Sequence, residues 1–167
     1  MGQSKGRSGV WVAQQIVTML KNKLPAIKVL IDADYDDDLS VPEPHTDSYN
    51  VGERQTYPEQ FPMVFVFPNG SDLFEDQGEA RYEIEKWDLT IALMHSGDGL
   101  EINVITELDR LVQAIQETIL SNTTLLDTSG IVIDSFVFRK AFGTLLTDGT
   151  ALLQEAQLGV RVGVCNT

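Results

Sequence analysis

Apolar residues near the start of the chain recur at steps of three and four residues. This spacing predicts an amphipathic helix over Val10–Leu24. Pro25 follows directly, and a proline is expected to end a helix at such a point. The short apolar stretch Ala26–Ile31 is then predicted to form a strand.

Four extended runs and one long helix make up the rest of the pattern. Alternating or continuously apolar residues predict strands, whereas an apolar stripe with a period of 3.6 residues predicts a helix. In chain order the elements are Pro62–Pro68, Arg81–His95, the helix Glu101–Ser121, Ile131–Phe142 and Ala151–Val164. With the first helix in front, the order is α-β-β-α-β-β.

This order predicts an α+β fold in a single domain over residues 1–167, with a flexible N-terminus over residues 1–8. A single mixed or antiparallel sheet of about four strands, packed by two helices on one side, satisfies the pattern. Asn69 and Gly70 after the first of these strands form a turn signal. Several strands keep apolar residues on both faces, so we expect the uncovered face of the sheet to have a partner as well.

The long helix divides into an apolar and a charged side. We expect Glu101, Glu107, Arg110 and Glu117 to lie outside the core-facing stripe. That stripe is predicted to consist of Ile102, Ile105, Leu108, Val112, Ile115 and Ile119.

A long acidic segment, Asp32–Phe61, precedes the strands. It holds nine acidic residues, one arginine and three prolines, and a loop of this length is typical of an arm or a binding loop. Its beginning has the oxygen spacing of a calcium loop, but Asp37 stands where the turn of such a loop needs glycine. We favour a solvated acidic loop and keep a metal site as the alternative. The candidate metal ligands are Asp32, Asp34, Asp36 and Glu43.

The net charge of −13 is unevenly distributed. Residues 1–31 carry 5 basic and no acidic side chains, whereas residues 32–167 carry 7 basic and 25 acidic ones. A body this acidic repels DNA, because affinity for DNA comes largely from neutralising phosphates. The basic first segment could contact DNA or an acidic surface of a neighbouring copy, and we favour the neighbouring copy. The candidate contact residues are Lys5, Arg7, Lys21 and Lys23.

Two further contact candidates are apolar. Leu145 and Leu146 lie between the last two predicted strands, where a hairpin tip should be polar. Either they fold back onto the helix, or they contact another subunit, since exposed apolar patches tend to mark interaction sites.

The sequence contains no recognisable catalytic constellation. His45 and His95 are far apart in sequence, and no nucleophile or nucleotide-binding motif is present. We expect no enzymatic activity and no cofactor. The single cysteine, Cys165, excludes a disulfide framework and is compatible with a reducing cytoplasm. No apolar run reaches the length of a membrane span and the N-terminus is unlike a signal peptide, so we expect no membrane association.

The element order resembles that of the tail terminator proteins of tailed bacteriophages, the minor tail protein U-like family. The resemblance extends over residues 8–164 and rests on pattern rather than on a catalytic motif. The stretches that carry it are Phe61–Val66, Trp87–Leu93, Leu108–Val112 and Ala156–Val162.

The resemblance implies a structural virion protein, assembled in the host bacterial cytoplasm. Proteins of that family form a hexameric ring at the head-proximal end of the tail, where they stop polymerisation of the tail tube. The implied partners are further copies of the chain, the tail tube protein, a neck or connector (stopper) protein and, in a contractile tail, the sheath. Double-stranded DNA would pass through the lumen without specific binding, and we expect acidic side chains to line that channel.

Two other functions remain open from the sequence. The first is a different neck component, such as a stopper or head-completion protein, which belongs to the same class but has a different partner. The second is a monomeric calcium-binding module that uses the Asp32–Glu43 loop.

Overall fold

A computed structural model describes residues 8–52, 60–75, 83–97, 99–148 and 151–165. Two long helices pack against one sheet. The helices are α1, Gly9–Asp34, and α2, Glu101–Ser121. A 3₁₀ turn, Thr46–Ser48, precedes the first strand. The strands are β1, Tyr49–Val51; β2, Met63–Glu75; β3, Glu83–Gly97; β4, Val132–Phe142; β5, Leu146–Asp148; and β6, Ala151–Cys165.

Helix α1 begins one residue before the predicted Val10 and ends ten residues later than Leu24. Ser8 caps it, because its side-chain oxygen accepts a hydrogen bond from the Trp11 amide at 3.1 Å. Pro25 lies inside the helix. The prediction that it ends the helix and the predicted strand Ala26–Ile31 are therefore both wrong. A proline removes one helical hydrogen bond, and core packing of Leu24 and Ile31 on either side favours continuation of the helix.

Helix α2 has the predicted bounds, but its polar and apolar sides are not divided as predicted. Leu108, Val112, Ile115 and Ile119 are buried. Ile102, placed on the core stripe by its spacing, is 62% exposed, and Arg110, placed outside it, is only 3% exposed. Arg110 is buried because it forms an ion pair with Asp37, which lies in a distant segment of the chain.

The sheet is mixed and contains six strands rather than the expected four, in an α+β fold with two helices as predicted. The strand order is β1-β2-β3-β6-β4, with β5 paired to the beginning of β6. Only β1 and β2 are parallel, and the other described pairs are antiparallel. The two additional strands, β1 and β5, have three residues each, too short for an alternating pattern to reveal them.

The turn predicted at Asn69-Gly70 is also absent, because β2 continues through it. The register between β2 and β3 shifts between Pro68 and Gly70, which marks a bulge, and pairing continues to Glu75 opposite Glu83. The sequence signal therefore marks an irregularity within a strand rather than its end.

The core lies between the helices and one face of the sheet. Strands β3 and β6 form its centre, with Leu89 opposite Val160, Ile91 opposite Leu158 and Leu93 opposite Ala156, and all of these residues are buried. Helix α1 contacts β1, β2 and β3, whereas α2 contacts β3, β4 and β6. None of the described helices is both long and apolar enough to span a membrane.

The opposite face of the sheet carries a second, smaller apolar cluster. Met63, Phe65 and Met94 are buried there, and Phe67, Ala92 and Leu153 pack against them. This agrees with the expectation that several strands have apolar residues on both faces.

The first residue of α1 provides a test of the contact between this helix and the sheet. A Cβ atom at Gly9 would lie 2.6 Å from the Pro68 Cβ and 2.7 Å from the Trp87 Cζ3, and both neighbours are rigid. We expect Gly9→Ala to lower the free energy of unfolding by about 1–3 kcal/mol, as overpacking typically does. Denaturant unfolding measures this. Gly70→Ala is the matched control, since nothing lies within 4 Å of its added Cβ. Equal stability of the two variants would contradict the close approach.

Candidate assembly surfaces

The acidic segment is attached to the middle of α2 by a buried arginine. The Arg110 guanidinium donates to both carboxylate oxygens of Asp37 and, at 2.9 Å, to the Leu39 carbonyl. It also stacks on Tyr35, with its central carbon 3.9 Å from the ring centroid. The hydrogen bond from Arg110 holds the pKa of Asp37 below its usual value. The start of the segment is therefore an ordered arm.

A second set of hydrogen bonds closes the turn after α1. Asp32 accepts from the Val41 amide at 2.7 Å and from Lys28 Nζ at 2.8 Å. Burial opposes ionisation of this carboxyl, but the two donors outweigh it and its pKa is lowered. The long irregular loop predicted over Asp32–Phe61 is thus wrong in part, since it contains the end of α1, the 3₁₀ turn and β1.

The calcium-loop candidates are not gathered around a common point. Both carboxylate oxygens of Asp32 are used by the chain itself, while Asp34, Asp36 and Glu43 are exposed. Asp37, the residue that breaks the motif, is the one that binds Arg110. Among the described residues, no group of three or more His, Cys, Asp or Glu side chains could hold a metal ion.

The two histidines lie in unrelated surroundings. His95 is buried, with its Nε2 2.6 Å from Glu107 Oε2, and its Nδ1 has no hydrogen-bond partner in the described structure. His45 accepts a hydrogen bond from the Asp47 amide at 3.2 Å in the 3₁₀ turn. Within the described residues, His95 makes no hydrogen bond to a hydroxyl or thiol. The described contacts of His95 therefore do not pair it, as a base, with a nucleophile.

The interface candidates from the sequence have different locations. Lys5 and Arg7 lie outside the described residues. Lys21 and Lys23 are exposed on α1. Leu145 is half-buried, whereas Leu146 is 54% exposed on β5, paired with Leu153 of β6.

The second half of α1 presents an apolar stripe to solvent. Ala26, Val29, Leu30 and Ala33 follow one another at helical spacing and are all exposed, with Val29 at 65% and Leu30 at 64%. We call these four residues the α1 outer stripe. Sequence reasoning missed it, because a strand was expected after Pro25.

Strand β4 forms an edge of the sheet and is rich in exposed aromatic residues. It pairs with β6 on one side and with no other described strand. Unpaired edge strands are ready templates for another chain. We define the β4 edge by its exposed apolar residues and its two basic ones, which are Ile133, Phe136, Phe138, Phe142, Arg139 and Lys140.

The charge of the β4 edge comes from residues without a counter-ion. Arg161 on the neighbouring strand lies 5.3 Å from the Phe138 ring centroid, but Asp88 binds it through two hydrogen bonds of 2.7 and 3.1 Å. That contact lowers the pKa of Asp88. Arg139 and Lys140 have no ion-pair partner within the described part of the chain.

The two surfaces belong to opposite ends of the sheet. Helix α1 packs mainly over β2 and β1, at one end of the strand order, whereas β4 lies at the other end. The described residues therefore define a single-sheet α+β protein with distinct exposed apolar surfaces on its two sides.

Comparison with known proteins supports this description of the fold. No family model and no curated protein matches the chain. Among solved structures, it is similar to a chain described as part of the virion of a native gene transfer agent particle. The sequence identity is 12% and the TM-score is 0.54, over 95% of this chain and 99% of that chain. At this identity the likeness shows a shared fold.

Arg110 should control the order of the acidic arm. We expect Arg110→Met to increase hydrogen exchange at the Leu39 and Val41 amides roughly tenfold or more, because the arm loses a charged, multiply hydrogen-bonded anchor. NMR-detected exchange measures this, and Asp109→Asn, at an exposed neighbouring position, is the control. Unchanged exchange in Arg110→Met would contradict the anchoring role.

The same contact should respond to acid. Since the folded-state pKa of Asp37 is lowered, its stabilising contribution is complete above the ordinary carboxyl value of about 3.9. It is lost as the pH falls further, through the folded-state pKa. We expect protection of the Leu39 amide, corrected for intrinsic exchange, to decrease in that range, and to be independent of pH there in Asp37→Asn.

Proposed function

We propose that this chain is a structural virion protein that forms a ring at the head-proximal end of a tail tube and terminates tube growth. The observation that carries the first part is the similarity of nearly the whole fold to a virion chain, over almost the full length of both. The resemblance to tail terminators supports the more specific part. In this proposal the protein has no enzymatic activity.

The distribution of exposed surfaces is consistent with a ring. A closed ring made from one repeated head-to-tail contact needs two different surfaces on each subunit. The α1 outer stripe and the β4 edge are two such surfaces, and they belong to opposite ends of the sheet. A monomer would leave both of these apolar surfaces exposed to water.

The charge fits a channel for DNA better than a DNA-binding surface. The net charge is −13, and of the described arginines, Arg110 and Arg161 are occupied by Asp37 and Asp88. A lumen lined with acidic groups would let DNA pass without adhesion. The partners in this proposal are the tail tube protein and the neck protein, together with a sheath if the tail is contractile.

Deletion of the gene in the particle-producing host tests this function. We expect tails of abnormal and variable length, measured by electron microscopy, because nothing stops polymerisation of the tube. Addition of the purified chain to polymerising tube protein should restrict tube length in the same way. Tails of normal length together with heads that lose DNA would instead identify a stopper and contradict the proposal.

A further inference from the structure

We propose that the α1 outer stripe of one copy binds the β4 edge of the next copy, and that this contact closes the ring. The inference rests on the proposed ring function and names the residues that form its repeated interface. The occupant of each surface is a second copy of this chain.

The apolar side chains of the two surfaces are complementary in size, because one surface has small residues and the other has aromatic rings. The stripe alternates small and larger side chains, with Ala26 and Ala33 on either side of Val29 and Leu30. Positions with small side chains leave room for aromatic rings on a facing surface. The β4 edge supplies such rings in Phe136 and Phe138, which are exposed. Their burial would remove apolar area from water on both copies.

The charges at the ends of the two surfaces match in one orientation. Along α1, Lys23 precedes the stripe and Asp34 follows it, at the helical positions three before Ala26 and four after Leu30. Along β4, the order is reversed, with Asp134 opposite Gly163 and Arg139 opposite Gly159, on the same face of the sheet as Phe136. If the helix and the strand run in the same direction, each positive group meets a negative one.

The lengths are compatible. The eleven residue steps of helix from Lys23 to Asp34 span about 17 Å at 1.5 Å per residue. Asp134 and Arg139 are four register positions apart along β6, which is about 13 Å at 3.3 Å per residue. The long side chains of Lys23 and Arg139 can span the difference. All four side chains are exposed and lack an ion-pair partner within the described residues. Lys23, one of the basic residues predicted to contact a neighbouring copy, thereby has Asp134 as a specified acidic target.

The position of the surfaces explains why the contact would repeat. Each copy would use its α1 side for one neighbour and its β4 side for the other, which is a head-to-tail arrangement. Neither surface needs to pair with itself. The contact would also cover the edge of β4, which otherwise remains available for non-specific pairing.

A mixing experiment tests the pairing directly. We expect Leu30→Asp and Phe136→Asp each to abolish self-association of the full chain, measured by native mass spectrometry with and without tail tube protein. Both residues are exposed, so circular dichroism and thermal unfolding should remain close to those of the wild type. Mixed one to one, the two variants should form dimers and nothing larger, because only one intact pair of surfaces remains. Leu120→Asp, at an exposed position of α2 outside both surfaces, is the control and should assemble normally.

A charge exchange tests the orientation. Asp34→Lys, or Arg139→Glu, should weaken self-association at least about tenfold through like-charge contacts. Both substitutions in one chain should restore most of it. Glu117→Lys, at an exposed position of α2, should have little effect.

The outcomes separate this inference from the proposed function. Self-association that neither surface variant changes would overturn the pairing, as would a wild-type chain that stays monomeric both alone and with tube protein. If such a chain still limits tube length, termination of the tube stands and the interface is wrong. If the wild type assembles through these surfaces but tubes grow without limit, the interface stands and the proposed function is wrong.

Discussion

The antiparallel pairing of β3 with β6 is the contact on which the rest of the structure depends. It runs from Ile84 opposite Cys165 to Gly97 opposite Leu152. Side chains alternate along a strand, so this register directs Leu89, Val160 and their neighbours on the same face towards the helices. A slip of one residue would turn the core outwards. Because β6 also carries β4 on its other side, the same pairing determines which strand is left at the edge.

The local spacing of apolar and polar residues predicts much of this fold. The predicted helix Glu101–Ser121 has the observed bounds, and the last strand, predicted over Ala151–Val164, differs by one residue at its end. Both segments are long and strongly periodic, so their own side chains determine the structure. Of the interface candidates predicted from the sequence, Lys21, Lys23 and Leu146 are exposed in the structure.

The remaining features depend on contacts between distant residues. Pro25 lies within α1, which has core residues on both sides of it. Arg110 is buried because Asp37, 73 residues away in sequence, supplies the opposite charge. The aromatic residues of β4 are visible in the sequence, but their position at an edge follows from strand order. The α1 outer stripe is not recognisable from the sequence for a related reason, because the apolar run Ala26–Ile31 after a proline predicts a strand.

The arginine that anchors the acidic arm also has a mechanical consequence. Arg110 lies in the middle of α2, between buried residues that face the sheet. A force applied to the arm would therefore be carried through the Asp37 carboxylate into the central helix and from there into the sheet. A short loop fixed only at its two ends would stretch instead. The arm is therefore mechanically coupled to the core of the protein through a single charged contact.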